Sequence, residues 1–209
     1  MPVLQSSEYD ISYFNGQGTT YTHNAGYTDY SWVNYPSVSN RYVPTIEDST
    51  GTIYGDLAKG LNINLNNRFI GKSVLVVGCA YGFEVKGFRD LGIDAWGIDV
   101  SAYAISQADP SIAPYLEVAD ARVKMPTYLR NQWDYIFSRW FLECMSDVDL
   151  ATIIPDMNFA CKNEQVHIIN TTLRDDYYNT KSIAEWLALP FENKTILIPN
   201  DNFDEYVIK

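Results

Sequence analysis

The sequence predicts an α/β fold, a doubly wound, seven-stranded and mainly parallel sheet with an antiparallel terminal strand, and three observations carry that expectation. From Gly71 onward, short apolar runs alternate with helix-like stretches. The first run, Ser73 to Val77, leads into a turn bearing Gly78 and Gly82. An acid, Asp99, closes the next run about 20 residues later.

The elements follow in order. Residues 1–50 carry Tyr9, Tyr13, Phe14, Tyr21, Tyr27, Tyr30, Trp32, Tyr35 and Tyr42 among Gly, Ser, Thr, Asn and Pro. Aromatic side chains need a surface to bury against, so this stretch is expected to be an aromatic-rich cover or lid rather than a linker. Residues 51–209 are expected to form the main domain. Ile53, Leu57, Leu61, Leu65 and Phe69 recur every four residues and predict a helix. Strands are expected over 73–78 and 94–100, around a helix over 83–91 ended by Gly92. Ser101 can cap a helix over 102–108, and 115–120, 133–138 and 165–170 read as further strands. Residues 147–162 are helical in pattern with a break or kink expected at Pro155. A helix over 181–189 is stopped by Pro190, and 194–199 and 204–209 form a closing strand pair.

Composition narrows the classes. The 209 residues are 46% hydrophobic, enough for one domain with an extension, and the formal net charge is -11. An acidic molecule without a basic patch repels phosphate backbones, so no nucleic-acid partner is expected. Cys79, Cys144 and Cys161 show no CxxC spacing, which argues against a disulfide framework and a zinc site and suits a reducing, cytoplasmic setting. No run of about 18 apolar residues points to a membrane. Oligomeric state is not legible.

The glycine turn and the matched acid imply a nucleotide-bearing cofactor. Glycine lets the backbone approach a ligand, and an acid at the end of the second strand can accept hydrogen bonds from ribose hydroxyls. A dinucleotide fingerprint needs G-x-G-x-x-G, whereas this chain has Ala80 at the second glycine and Phe83 at the third. NAD is therefore disfavoured.

With those residues in view, the sequence resembles the class I S-adenosylmethionine-dependent methyltransferases, whose domain is Rossmann-like. Val74–Glu84 is similar to the family's first motif and Ala95–Ser101 to its second, in which the acid holds the ribose. Glu117–Arg122 resembles the third, whose Asp, here Asp120, meets the adenine amino group. Trp133–Asp147 is similar to the fourth-strand segment of the small-molecule branch, where a helix begins near a Leu-Glu-His-like triplet, here Leu142-Glu143-Cys144. The resemblance implies S-adenosylmethionine as cofactor and contacts from Gly78, Cys79, Ala80, Tyr81, Gly82, Asp99, Val100, Asp120, Ala121 and Ser138. Two positions depart from the pattern. Val76 stands where the family has an acid that organises the pocket around the methionine ammonium, and Ala80 where it has a glycine.

The expected activity is methyl transfer to an O, N or S atom of a small molecule. Alternatives are a non-catalytic relative that kept the fold, and another use of the cofactor such as aminopropyl transfer or sulfonium cleavage. Catalytic residues are not fixed; Arg139, Asp175 and Asp176 are the candidates after the fourth and fifth strands. Tyr27, Tyr30, Trp32, Arg139 and Trp140 are candidates for the substrate side, and no metal is expected. His167, inside a strand, reads as a core residue, while His23 belongs to the aromatic segment.

Overall fold

A computed structural model of the chain describes residues 9, 13–14, 68–123, 133–169, 181–192, 194–199 and 206–208. The helix expected over 53–69 lies outside them except for its end, where Phe69 is buried in a turn.

Seven strands form one sheet: β1 (Ser73–Val77), β2 (Asp94–Asp99), β3 (Leu116–Val118), β4 (Trp133–Arg139), β5 (Cys161–Ile169), β6 (Lys194–Pro199) and β7 (Tyr206–Ile208). Their spatial order is β3-β2-β1-β4-β5-β6-β7. Neighbours pair in parallel except β6 with β7, which is antiparallel. The helices are α1 (Phe83–Asp90), α2 (Ala102–Ser106), α3 (Asp147–Ala160) and α4 (Ile183–Leu187). The chain moves outward from β1 to β2 and β3 on one side, then returns to lay β4 on the other. That reversal opens a crevice at the carboxyl ends of β1 and β4, the usual ligand position in such sheets.

Strand alternation sorts the core into two layers. Leu75 and Val77 of β1 and Ile136 of β4 pack on one face with Leu150, Ile153, Ile154 and Met157 of α3 and Trp186 of α4. Val74, Val76, Tyr135, Phe137, Val166 and Ile168 pack on the other with Val85 and Phe88 of α1. The parallel strands β1 and β4 are covered on both faces, hence their near-continuous apolar runs.

Local chemistry sets the helix ends. Gly82 starts α1 at φ 85 and Gly92 follows its end at φ 77. A methyl group on Gly82 would stand 2.7 Å from Ile112 Cδ1 and 2.8 Å from Leu116 Cδ1, so packing as well as φ demands glycine. The Ser101 hydroxyl accepts from Ala104 N–H at 2.9 Å, the cap the sequence predicts for α2.

One expectation is corrected in α3. The helix begins at Asp147, where the sequence pattern starts, behind a capping box in which Ser146 and Asp149 exchange hydrogen bonds, and Leu142–Cys144 before it is a separate 3-10 turn. The helix runs unbroken through Pro155 and ends at Ala160, with β5 starting at the next residue. Six buried side chains between Leu150 and Ala160 hold the helix on the sheet, which outweighs the hydrogen bond Pro155 cannot donate.

Candidate functional site

A cleft lies over the carboxyl ends of β1, β2 and β4. Gly78, Ala80, Ile98, Asp99, Val100, Asp120 and Ala121 line it, together with Glu84, Arg139, Trp140, Phe141, Cys144 and Met145. Tyr9, Tyr13 and Phe14 also line it. These three belong to an aromatic cluster with Tyr81, Phe83 and Tyr103, in which Phe14 and Tyr81 ring centroids are 5.2 Å apart. The Ser101 hydroxyl donates to the Tyr9 carbonyl, so one side chain caps α2 and fastens the N-terminal segment.

Asp99 is fixed from two sides. One carboxylate oxygen accepts Ala80 N–H at 2.8 Å and the other accepts Ser101 N–H at 2.8 Å. Burial raises its carboxyl above the ordinary range while those two N–H groups oppose the shift. Two ionised carboxylate oxygens offer about four acceptor positions, so capacity remains for ribose hydroxyls.

Asp120 is more heavily engaged. Arg122 forks onto it, Nε to Oδ1 at 2.9 Å and Nη2 to Oδ2 at 2.7 Å, and Arg122 N–H adds a bond of 2.9 Å to Oδ1. This guanidinium holds the carboxyl below its usual value, and an amino donor finds room chiefly at Oδ2.

At the cleft a buried ion pair joins α1 to β4. Arg139 Nη2 stands 2.6 Å from Glu84 Oε1, each side chain 8% exposed. Burial pushes the Glu84 carboxyl up to about 7, opposed by a hydrogen bond from its own backbone N–H. The same guanidinium lies 4.8 Å from the centroid of the Trp140 ring. Val76, in place of the family's acid, is 2% exposed and also lines the cleft.

The turn residues divide. Gly78 and Ala80 line the cleft, both at positive φ, 73 and 48. A methyl group on Gly78 would meet Phe141 Cδ2 at 2.6 Å, so a side chain of this protein makes the close approach there. Cys79, Tyr81, Gly82 and Ser138 face elsewhere. Cys79 is 1% exposed and packs against Gly97, where an added methyl would stand 2.7 Å from its sulfur. Tyr81 belongs to the aromatic cluster, and Gly82 faces Ile112 and Leu116.

Ser138 is fully buried and bonded to His167 Nδ1 at 2.8 Å. His167 Nε2 stands 3.2 Å from Gln165 Oε1, and Gln165 donates to Asn158 Oδ1 at 2.7 Å. An amide oxygen only accepts, so Nε2 carries the proton and the Ser138 hydroxyl donates to Nδ1. Burial pushes His167 down to about 3, and it is neutral.

Tyr27, Tyr30, Trp32, His23, Asp175 and Asp176 lie outside the described residues. The site residues that sequence reasoning missed are Glu84 and Arg122. Glu84 sits on the apolar stripe of Phe83, Val85 and Phe88, where an acid is out of pattern, and Arg122 lies two residues past Asp120. Among the described residues no cluster of His, Cys, Asp and Glu is arranged to hold a metal ion, and no helix is long and apolar enough to cross a membrane.

Sheet order, the glycine turn and the pinned acid at the end of β2 are those of a Rossmann-like α/β domain. Residues 75–155 match the methyltransferase domain family. Over that stretch the chain is similar to methyltransferase domains, the same family its sequence motifs resemble. No curated protein matches the chain. The YcgJ protein of Bacillus subtilis shares the fold, with a TM-score of 0.52 and 15% identity over 64% of this chain and 65% of that one. Further matches are a SAM-dependent methyltransferase of Archaeoglobus fulgidus (TM-score 0.43, 20% identity, 55% of this chain and 51% of that one) and the PH0226 protein of Pyrococcus horikoshii (TM-score 0.45, 20% identity, 57% and 58%). The chain spans about half the length of such solved structures.

Proposed function

We propose that the protein transfers the methyl group of S-adenosylmethionine to an oxygen, nitrogen or sulfur atom of a small molecule. The observation that carries this reading is Asp99, pinned by Ala80 and Ser101 N–H at the rim of the cleft with acceptor capacity to spare. The cofactor supplies an activated methyl group on a sulfonium, open to in-line displacement. The chain's task is then to bind, orient and exclude water. Asp99 takes the ribose hydroxyls, the Gly78–Ala80 turn supports the cofactor from below, and Asp120 with Ala121 borders the adenine. Tyr9, Tyr13 and Phe14 close the cleft as part of the 1–50 cover. The acidic surface favours a small acceptor over nucleic acid.

Isothermal titration with S-adenosylmethionine, S-adenosylhomocysteine and NAD tests the reading: micromolar binding of the first two and none of NAD is expected. The variant Asp99→Ala should lose about 1–3 kcal/mol of binding free energy, the worth of hydrogen bonds to a charged acceptor. A second reading, a binder without catalysis, is favoured by Val76 and by the Arg122 fork that occupies Asp120. Product analysis separates these. Methyl transfer yields S-adenosylhomocysteine, aminopropyl transfer or sulfonium cleavage yields methylthioadenosine or a lactone, and a pure binder returns the cofactor intact.

A further inference from the structure

We infer that the Glu84–Arg139 pair is the receptor for the amino-acid end of the cofactor, with Glu84 on α1 taking the ammonium that an acid at position 76 would otherwise serve and Arg139 taking the carboxylate. The inference rests on the proposed binding of S-adenosylmethionine in this cleft.

Three observations support it. First, the sheet orders the ligand. Asp99 at the end of β2 and Asp120 beyond β3 place the nucleoside on that side, and β1 separates them from β4. A ligand held by its ribose and extending across β1 brings its other end to the wall formed by Glu84, Arg139 and Trp140.

Second, that wall presents one negative and one positive group 2.6 Å apart, both lining the cleft and each only 8% exposed. A zwitterion carries the same two charges on one carbon. Inserting it between the partners replaces each ionic contact with an equivalent one, so no buried charge is left alone. Third, a buried ion pair is a poor device for stability alone, because desolvating two ions opposes their attraction. Val76 meanwhile gives the ammonium nothing to bond.

The experiment is calorimetric and uses the whole protein with three ligands: S-adenosylhomocysteine, decarboxylated S-adenosylmethionine and methylthioadenosine, which lacks the amino-acid end. Glu84→Gln and Arg139→Gln should each weaken S-adenosylhomocysteine at least tenfold while changing methylthioadenosine less than twofold; Asp99→Ala should weaken both. The unaltered protein should bind decarboxylated S-adenosylmethionine at least tenfold more weakly than S-adenosylmethionine itself, a comparison that stands even if a variant does not fold. Equal affinity for those two ligands, or Glu84 and Arg139 variants that bind S-adenosylhomocysteine normally or lose both ligands alike, would overturn the inference. Absence of binding by every ligand to the unaltered protein would instead sink the proposed function.

Discussion

Ser138 and Arg139 are neighbours on β4, yet they serve two different kinds of buried polar assembly. Ser138 points to the α3 face and enters a neutral chain through His167, Gln165 and Asn158, which ends on the Pro190 carbonyl at 2.9 Å. Arg139 points to the α1 face and meets Glu84 as an ion pair at the cleft. The neutral chain has each donor matched to an acceptor, as a permanent brace requires. The charged pair touches the cleft, where its partners can be exchanged. Strand alternation alone places a structural lock and a binding surface one residue apart.

Substitutions can break that contrast. The largest stability loss is expected for Arg139→Met, which strands a buried carboxylate; about 3–5 kcal/mol should disappear from urea unfolding. Gly82→Val comes next, since it combines strain at φ 85 with a clash against Ile112 and Leu116. A loss of about 1–3 kcal/mol in the same assay, together with weaker S-adenosylhomocysteine binding, is expected.

Ser138→Ala should cost about 1–3 kcal/mol by leaving His167 Nδ1 buried without its donor, and should leave ligand affinity unchanged. A large affinity change in that variant would erase the distinction between lock and binding surface. A pH series sharpens the same point. The folded His167 has its pKa pushed down to about 3, whereas an unfolded imidazole titrates near ~6.5. Its contribution is complete above the unfolded value and is lost as pH falls from about 6.5 toward 3. Burial of Glu84 acts with the opposite sign, favouring the fold below about 4.5 and fading as pH rises to about 7. Comparing the unaltered protein with His167→Gln isolates the histidine slope. The smallest effect is expected for Ala80→Gly, a gain of about 1 kcal/mol from relieving a methyl-bearing residue at φ 48.

The strands, the Ser101 cap and the Gly92 stop were legible because each rests on local chemistry: apolar runs, a hydroxyl before a helix, a glycine after it. The α3 start at Asp147 was legible too, whereas Pro155 suggested a break that the buried face of the helix overrides. Glu84 was not legible as a site residue. Its significance comes from Arg139, 55 positions away in sequence and brought opposite it only when β1 and β4 pair. Ser138 failed in the reverse direction, since its position at a strand end suggested a ligand contact while its partner on β5 claimed the hydroxyl.

The three cysteines offer a use that their packing makes selective. Cys79 is sealed against Gly97, its thiol raised well above the ordinary range by burial, and burial pushes Cys161 up to about 11. Neither supplies the thiolate that alkylating reagents attack. Cys144 is half-buried and lines the cleft, its thiol donating to the Trp140 carbonyl at 3.4 Å. An alkylating probe should therefore modify the native chain at one position, and the rate of that labelling becomes a direct gauge of whether the cleft is filled.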